Sequence, residues 1–155
     1  MITIDGGTGV ITSNNKITLP AGSYDVWQLN AHSVGDDAII AGSLWTRSST
    51  TNTNKSNAIT NVGSAMSVDS TGYWTFPITG KWEVCFSCYW QSVSGTATRY
   101  NESFIYFTQN NSDYGLISRP AGSVYGSSNG VYDTFQNTVV LDVVDTSTHK
   151  CYFGI

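Results

Sequence analysis

Few side chains in this 155-residue chain are candidates for chemistry. Cys85-Phe86-Ser87-Cys88 has the CxxC spacing of metal clasps and redox pairs. The residues around it alternate as a β-strand, however, and positions i and i+3 of a strand point to opposite faces. The two thiols therefore cannot close on one ion or on each other. Cys88 and Cys151 read as core filling, and an odd number of cysteines suits free thiols better than a disulfide framework. His32 and His149 each stand alone, which predicts surface positions and no histidine metal site. Asp36-Asp37 and the pair Asp142/Asp145 supply carboxylate oxygens of the kind calcium takes, but a Gly-spaced ligand loop is missing, so they read as solvated turn residues. No GxSxG elbow occurs and neither histidine stands beside a promising Ser or Asp, leaving no nucleophile with its base. The expectation is a non-enzyme with no catalytic residue, no metal and no cofactor. Gly6-Gly7-Thr8-Gly9 neither follows a long strand nor opens a helix, so it reads as a flexible turn and not a phosphate cradle. Glycosylation acceptors begin at Asn54, Asn101 and Asn110 and carry meaning only in a secreted chain.

Trp45, Tyr89, Tyr100, Tyr125 and Tyr132 are aromatics expected at the surface. An aromatic face meets the C–H side of a sugar while Asn and Ser bond its hydroxyls, so these five are candidate glycan contacts. The same side chains serve as interface or loop-packing groups, and packing is the favoured role.

The elements that must position these residues follow from composition. Only 12% of residues are charged, while Ser, Thr and Asn number 51, so solubility comes from hydroxyls and amides. Exposed helix faces carry Glu, Lys and Arg; Thr-, Val-, Tyr- and Trp-rich segments separated by Ser, Asn and Gly suit half-buried pleated surfaces. An all-β, single-domain protein follows. Five Trp, nine Tyr and six Phe are many for one small core and point to a buried subunit interface. A net charge of −4, with Lys16, Arg47, Lys55, Lys81, Arg99, Arg119 and Lys150 scattered, offers no stripe for a phosphate backbone and disfavours nucleic acid as a partner. No apolar stretch approaches the roughly 20 residues of a spanning helix, and the start lacks the basic and apolar regions of a signal peptide. No membrane partner and synthesis in the cytoplasm are the corresponding expectations.

From Met1 to Asp37 short apolar alternations are broken by Gly and Asn turns, which reads as an extended arm in need of a partner surface. Ala38–Arg47 reads as the first firm strand and Ser48–Asn57 as a surface loop. Tyr73–Phe76 is a strand stopped by Pro77, with a turn to Gly80. Lys81–Gln91 is the strongest strand, with Trp82, Val84, Phe86, Cys88 and Trp90 on one face. In Ser103–Gln109, Phe104 and Tyr106 oppose Ile105 and Phe107, so both faces should be covered. Tyr114–Ser118 reads as a strand, Arg119–Gly130 as a loop, and Thr138–Val144 with His149–Phe153 as a hairpin.

The segment Gly72-Tyr73-Trp74-Thr75-Phe76-Pro77-Ile78-Thr79-Gly80-Lys81-Trp82-Glu83-Val84 resembles the signature of the C1q/TNF-like jelly roll. There an aromatic before Pro, a turn ending in Gly and an alternating aromatic strand recur in this order. Phe76, Pro77, Gly80, Trp82, Val84 and Phe86 carry that core signature. Val139–Lys150 is similar to the strand-turn-strand near the family's C-terminus, in the wording of tailed-phage virion proteins, and Ile4–Val10 is similar to the short leaders that precede such domains. The resemblance covers about Ala38 to Phe153. It implies an antiparallel jelly-roll sandwich over 38–155, with 1–37 an extended N-terminal arm that anchors to a capsid or a neighbour. Family members run on to a further strand beside the first, so an open edge covered by the arm or by another subunit is also expected.

The resemblance further implies a homotrimer whose aromatic faces meet on a three-fold axis, with Phe104 and Tyr106 at the interface. The implied role is a virion structural protein on the capsid surface, a decoration or cement protein. It would clamp the major capsid protein through Ile2, Ile4, Val10, Ile11, Ile17 and Leu19 of the arm. The alternative is a head-fibre or tail-fibre tip module that binds host-surface glycan through the aromatic loops.

Overall fold

The structure, a computed structural model, describes residues 2–4, 11–13, 24–31, 33, 38–48, 63–91, 98–124 and 132–155. It is all-β, with antiparallel sheets and, among the described residues, no α-helix. β1 (Ile2–Ile4) and β2 (Ile11–Ser13) pair as a short ribbon, and β3 (Trp27–Leu29) pairs with β4 (Trp45–Arg47). Then come β5 (Ser67–Val68), β6 (Tyr73–Thr75), β7 (Gly80–Gln91), β8 (Thr98–Glu102), β9 (Phe104–Thr108), β10 (Gly115–Ser118), β11 (Ala121–Val124), β12 (Tyr132–Val143) and β13 (Lys150–Gly154).

Two layers face each other across one core, as in a β-sandwich. One is a five-stranded sheet in the order β10-β9-β13-β6-β5; the other is a long ribbon of β7 and β12, paired from Tyr132 opposite Gln91 to Val143 opposite Gly80. Alternation decides what each ribbon strand buries. β7 turns Trp82, Val84, Phe86 and Cys88 inward, β12 turns Phe135, Asn137, Val139, Leu141 and Val143 inward, and the alternate residues face out. From the sheet, β6 contributes Trp74, followed by Phe76; β9 contributes Ile105 and β13 Cys151 and Phe153. The layers meet ring to ring: Phe86 lies 5.0 Å from Phe153 and Trp82 lies 5.4 Å from Phe76. Trp74 sits between Trp27 at 4.9 Å and Trp45 at 5.3 Å, both edge to face, a geometry that contributes about 0.5–1.5 kcal/mol per pair beyond area burial.

The signature residues do what their chemistry demands. Phe76 is buried just past the end of β6 at Thr75; Pro77 follows it; Gly80 opens β7 at φ +139°, which L side chains rarely adopt. Asp25 anchors the segment ahead of the core. Its carboxylate accepts from Trp27 Nε1 at 2.9 Å, Arg47 Nε at 2.5 Å and the Met66 amide at 2.8 Å. Residues Asp25 and Trp27, counted in the arm by composition, are therefore packed on the sandwich.

Several expectations are corrected. Ala38–Arg47 is not one strand: Ala38–Ile40 bonds to the end of β13, a 3-10 turn covers Gly42–Leu44, and β4 follows. Gly42 is pressed so close to the Asp69 carbonyl that a Cβ would sit 1.7 Å from it, so the approach needs glycine. Thr138–Val144 and His149–Phe153 do not form a hairpin. β12 starts earlier and pairs with β7, while β13 crosses to the other layer and lies between β9 and β6. No edge of β13 is open, because Ile39 bridges Gly154 beyond the end of β6. Ala121–Val124, read as loop, pairs with β8. His149 is buried, with Phe107 at 5.6 Å and Thr148 Oγ1 at 3.2 Å from Nδ1.

Candidate functional site

The described aromatics divide by chemistry. Every described Trp and Phe whose burial is given is buried or half-buried, while each Tyr whose side chain is described is half-buried or exposed and none is fully buried. The tyrosines are not scattered. On the outer face of the five-stranded sheet, β-ladder register places Tyr73, Tyr152, Tyr106 and Leu116 directly opposite one another on β6, β13, β9 and β10. Neighbouring strands lie roughly 4.8 Å apart, so this row runs about 14 Å across the sheet. Tyr152 stacks on Tyr106 at 4.7 Å and 11°, and meets Tyr73 edge-on at 5.6 Å. Tyr114, just ahead of β10, closes the group at 5.1 Å from Tyr73 and 5.2 Å from Tyr152. Leu116 is 44% exposed at the end of the row, and Ile117, 46% exposed, falls at the register shift that follows it.

Desolvation first, then the neighbouring Tyr73 and Asp69, push the Tyr114 hydroxyl above its ordinary range, so it stays protonated at physiological pH. Covering the row would bury its aromatic rings, with Lys150 on the same face of β13 as Tyr152 and the Asp69 carboxylate near Tyr114.

Tyr106 lies within the row, between Tyr152 and Leu116. Phe104 does not. It is only 2% exposed, with the Arg119 guanidinium 6.0 Å from its ring centre and Gly154 pressed against it. A Cβ at position 154 would come within 2.0 Å of that ring. Phe104 is thus covered within its own chain and has no area to offer a neighbour. The half-buried rings on the outer face of the sheet are instead Tyr73, Tyr106, Tyr114 and Tyr152. The signal was available in the cross-strand phase of Tyr73 and Tyr152, which only the β6–β13–β9 order makes visible.

The ribbon's outer face is different. Tyr89 and Tyr132, diagonal neighbours, stack at 5.4 Å and 19° while remaining 66% and 51% exposed. Trp45 is corrected: it packs between Trp74, Phe86 and Phe153 and is unavailable as a surface platform. Tyr100 is a β8 residue whose side chain lies outside the described set, as does all of Tyr125. Ile2, Ile4 and Ile11 fall on β1 and β2, whereas Val10, Ile17, Leu19, His32, Asp36, Asp37, Asn54 and the Gly6–Gly9 cluster lie outside the described residues.

The chemistry-bearing residues stay apart. Cys85 is exposed on one face of β7 and Cys88 buried on the other, while Cys151 is buried in the opposite layer. Asp142 pairs with Lys81 at 3.0 Å, and Asp145 accepts from the Ser147 amide and hydroxyl in its own turn. Among the described residues no group of three or more His, Cys, Asp and Glu side chains is placed to hold a metal. No helix among them is long and apolar enough to cross a membrane. No family model matches the chain, and neither a curated protein nor a solved structure is similar to it.

Proposed function

We propose that this protein is a non-enzymatic virion structural protein of the C1q/TNF-like jelly-roll type. It assembles as a homotrimer on the capsid surface of a tailed phage and clamps the major capsid protein through its N-terminal residues. The observation that carries the reading is the tyrosine row on the outer face of the five-stranded sheet. A sheet face facing water normally alternates to charged or small polar residues; here four strands in register present Tyr73, Tyr152, Tyr106 and Leu116. Three copies turned face to face would bury these rings on a shared axis, and closed cyclic symmetry is the usual outcome for a surface that must cover itself. A shell-bound trimer presents three anchoring segments at once, and that multivalency converts weak contacts into firm attachment.

Equilibrium sedimentation tests the assembly. The expected species is a trimer, and Tyr106→Lys or Tyr152→Lys should shift it to folded monomer; a folded wild-type monomer overturns the reading. Attachment is tested by capsid binding of a chain truncated ahead of Tyr24, which keeps Asp25 and Trp27 for the fold. Retained binding by that truncation refutes the arm as the anchor.

A further inference from the structure

Tyr89 on β7 and Tyr132 on β12 make a second tyrosine pair, on the outer face of the ribbon. Ladder register sets Tyr89 opposite Thr134 and Tyr132 opposite Gln91, which makes the two tyrosines diagonal neighbours across the strands. Their rings stack at 5.4 Å and 19° while both residues remain exposed. Ser87, Gln91, Thr134 and Gln136 flank them on that face, and none of these is a ring that could hold the two apart. The stacked pair of the row, Tyr106 and Tyr152, differs: it is half-buried and hemmed in by Tyr73 and Tyr114. Exposed side chains turn about their bonds within nanoseconds, so the Tyr89 and Tyr132 rings can bring their edges together, and a reagent in solution reaches both.

We propose that Tyr89 and Tyr132 are a modification site, coupled by a one-electron oxidant into a dityrosine that staples β7 to β12. A haem peroxidase with hydrogen peroxide is the class of oxidant required. Each phenol gives up one electron and its hydroxyl proton. The two phenoxyl radicals then join by a carbon–carbon bond between ring carbons beside the hydroxyls, one Cε of each tyrosine. The hydrogen displaced from each of these carbons moves to the phenolic oxygen and restores both phenols. The two electrons and two protons released reduce one hydrogen peroxide to two water molecules. The pair lies at the end of the ribbon remote from Gly80 and Val143, and the chain between its members runs through β8, β9, β10 and β11. A bond there ties residues distant in sequence, which restricts the unfolded chain, and it fixes the end of a ladder that would otherwise fray. The site is on the opposite layer from the tyrosine row and does not depend on the virion reading.

The test treats the intact protein with a haem peroxidase and limiting hydrogen peroxide. Cys85→Ser is introduced first, because that exposed thiol lies on the same β7 face and would compete for the oxidant. The expected product is a single chain lighter by two hydrogens, with dityrosine fluorescence, that yields on digestion two peptides joined through Tyr89 and Tyr132. Tyr89→Phe and Tyr132→Phe keep the rings and remove the phenols; each should reduce the joined peptide to background while the far-UV spectrum is unaltered. The linked chain should melt about 5–10 °C higher than the unlinked one. A joined peptide that survives either substitution, links confined to Tyr73, Tyr106, Tyr114 and Tyr152, or products that only join separate chains would overturn the site. A linked chain that melts no higher overturns the staple. A trimer that does not form the link counts against this site alone, and a linked monomer against the assembly alone.

Discussion

Asn137 is the strongest single joint between the two layers, and its removal should be costly for a countable reason. On β12 it occupies an inward position, 1% exposed, between Phe135 and Leu141. Its Nδ2 donates to Ser103 Oγ at 2.8 Å and to the Ser103 carbonyl at 3.2 Å, and its Oδ1 accepts from Ser118 Oγ at 2.6 Å. Asn137→Ala leaves the fully buried Ser103 hydroxyl and carbonyl without this partner. At about 1–3 kcal/mol for each buried orphan, and little for the half-buried Ser118 that water can reach, the loss should be about 3–4 kcal/mol. Much of this is desolvation and not bond strength, so a second change isolates the cause. Asn137→Leu with Ser103→Ala removes polar groups from both sides and should recover a large part of the loss, a non-additive cycle of about 1–2 kcal/mol. Urea unfolding at one fixed protein concentration measures it, since self-association would otherwise enter the apparent stability. An Asn137→Ala loss under about 1 kcal/mol, or strict additivity in the cycle, would show that the layers are held by apolar packing alone.

Other outcomes follow from the same contacts. Asp25→Ala frees the Met66 amide and the Trp27 indole and unpairs Arg47, whose side chain is partly exposed and can be hydrated again; a loss of about 2–3 kcal/mol in chemical denaturation is expected, mostly restored by Asp25→Asn. Asp69, bonded first by the Thr71 hydroxyl and then by the Tyr73, Thr71 and Gly72 amides, and Asp145, bonded by Ser147, both titrate below their ordinary value of 3.8. A depressed carboxylate stabilises the fold above its unfolded value and ceases to as pH falls through the folded one, so melting temperature should be level above about pH 5 and drop below about pH 4. An acid limb unchanged in the Asp69→Asn, Asp145→Asn double variant would refute this assignment. Burial pushes the Cys88 thiol up to about 12 and Cys151 higher still, while Cys85 is exposed, so a thiol reagent at pH 8 should modify Cys85 in the native protein and the other two only after unfolding. Mass mapping of the labelled sites decides it.

Much of this architecture was legible where one strand explains itself. The Trp82/Val84/Phe86/Cys88 alternation identifies β7 and its inner face without any partner, and Phe76-Pro77 with Gly80 marks the break before it. Pairing was not legible, because alternation says which side faces the core and never which strand lies alongside. A four-residue turn after Val144 invites a hairpin, yet the strands on either side are buried in different layers. Composition also misled at Gly122: the Gly/Ser run looks like loop, but a Cβ there would lie 2.4 Å from the Phe135 ring, so glycine serves strand packing. Asn137 was hidden for a related reason, since reading the strand from Thr138 leaves this inward-facing polar residue out of it. The tyrosine row needs both an alternation and a strand order, and only the first is written locally.

The place of β13 has a consequence for biogenesis. In synthesis it is made after every other described strand, yet it is the middle of its sheet, flanked by β9 and β6. Until it emerges, β9 and β6 have nothing between them, and two unfilled strand edges lined with aromatic residues stand open to other nascent chains. The β7–β12 ribbon is complete earlier and must wait for its opposite layer. Folding of this sheet therefore waits for β13 and is gated by long-range closure, which makes it slow and makes the polypeptide that still lacks β13 a client for chaperones before it is a partner for anything else.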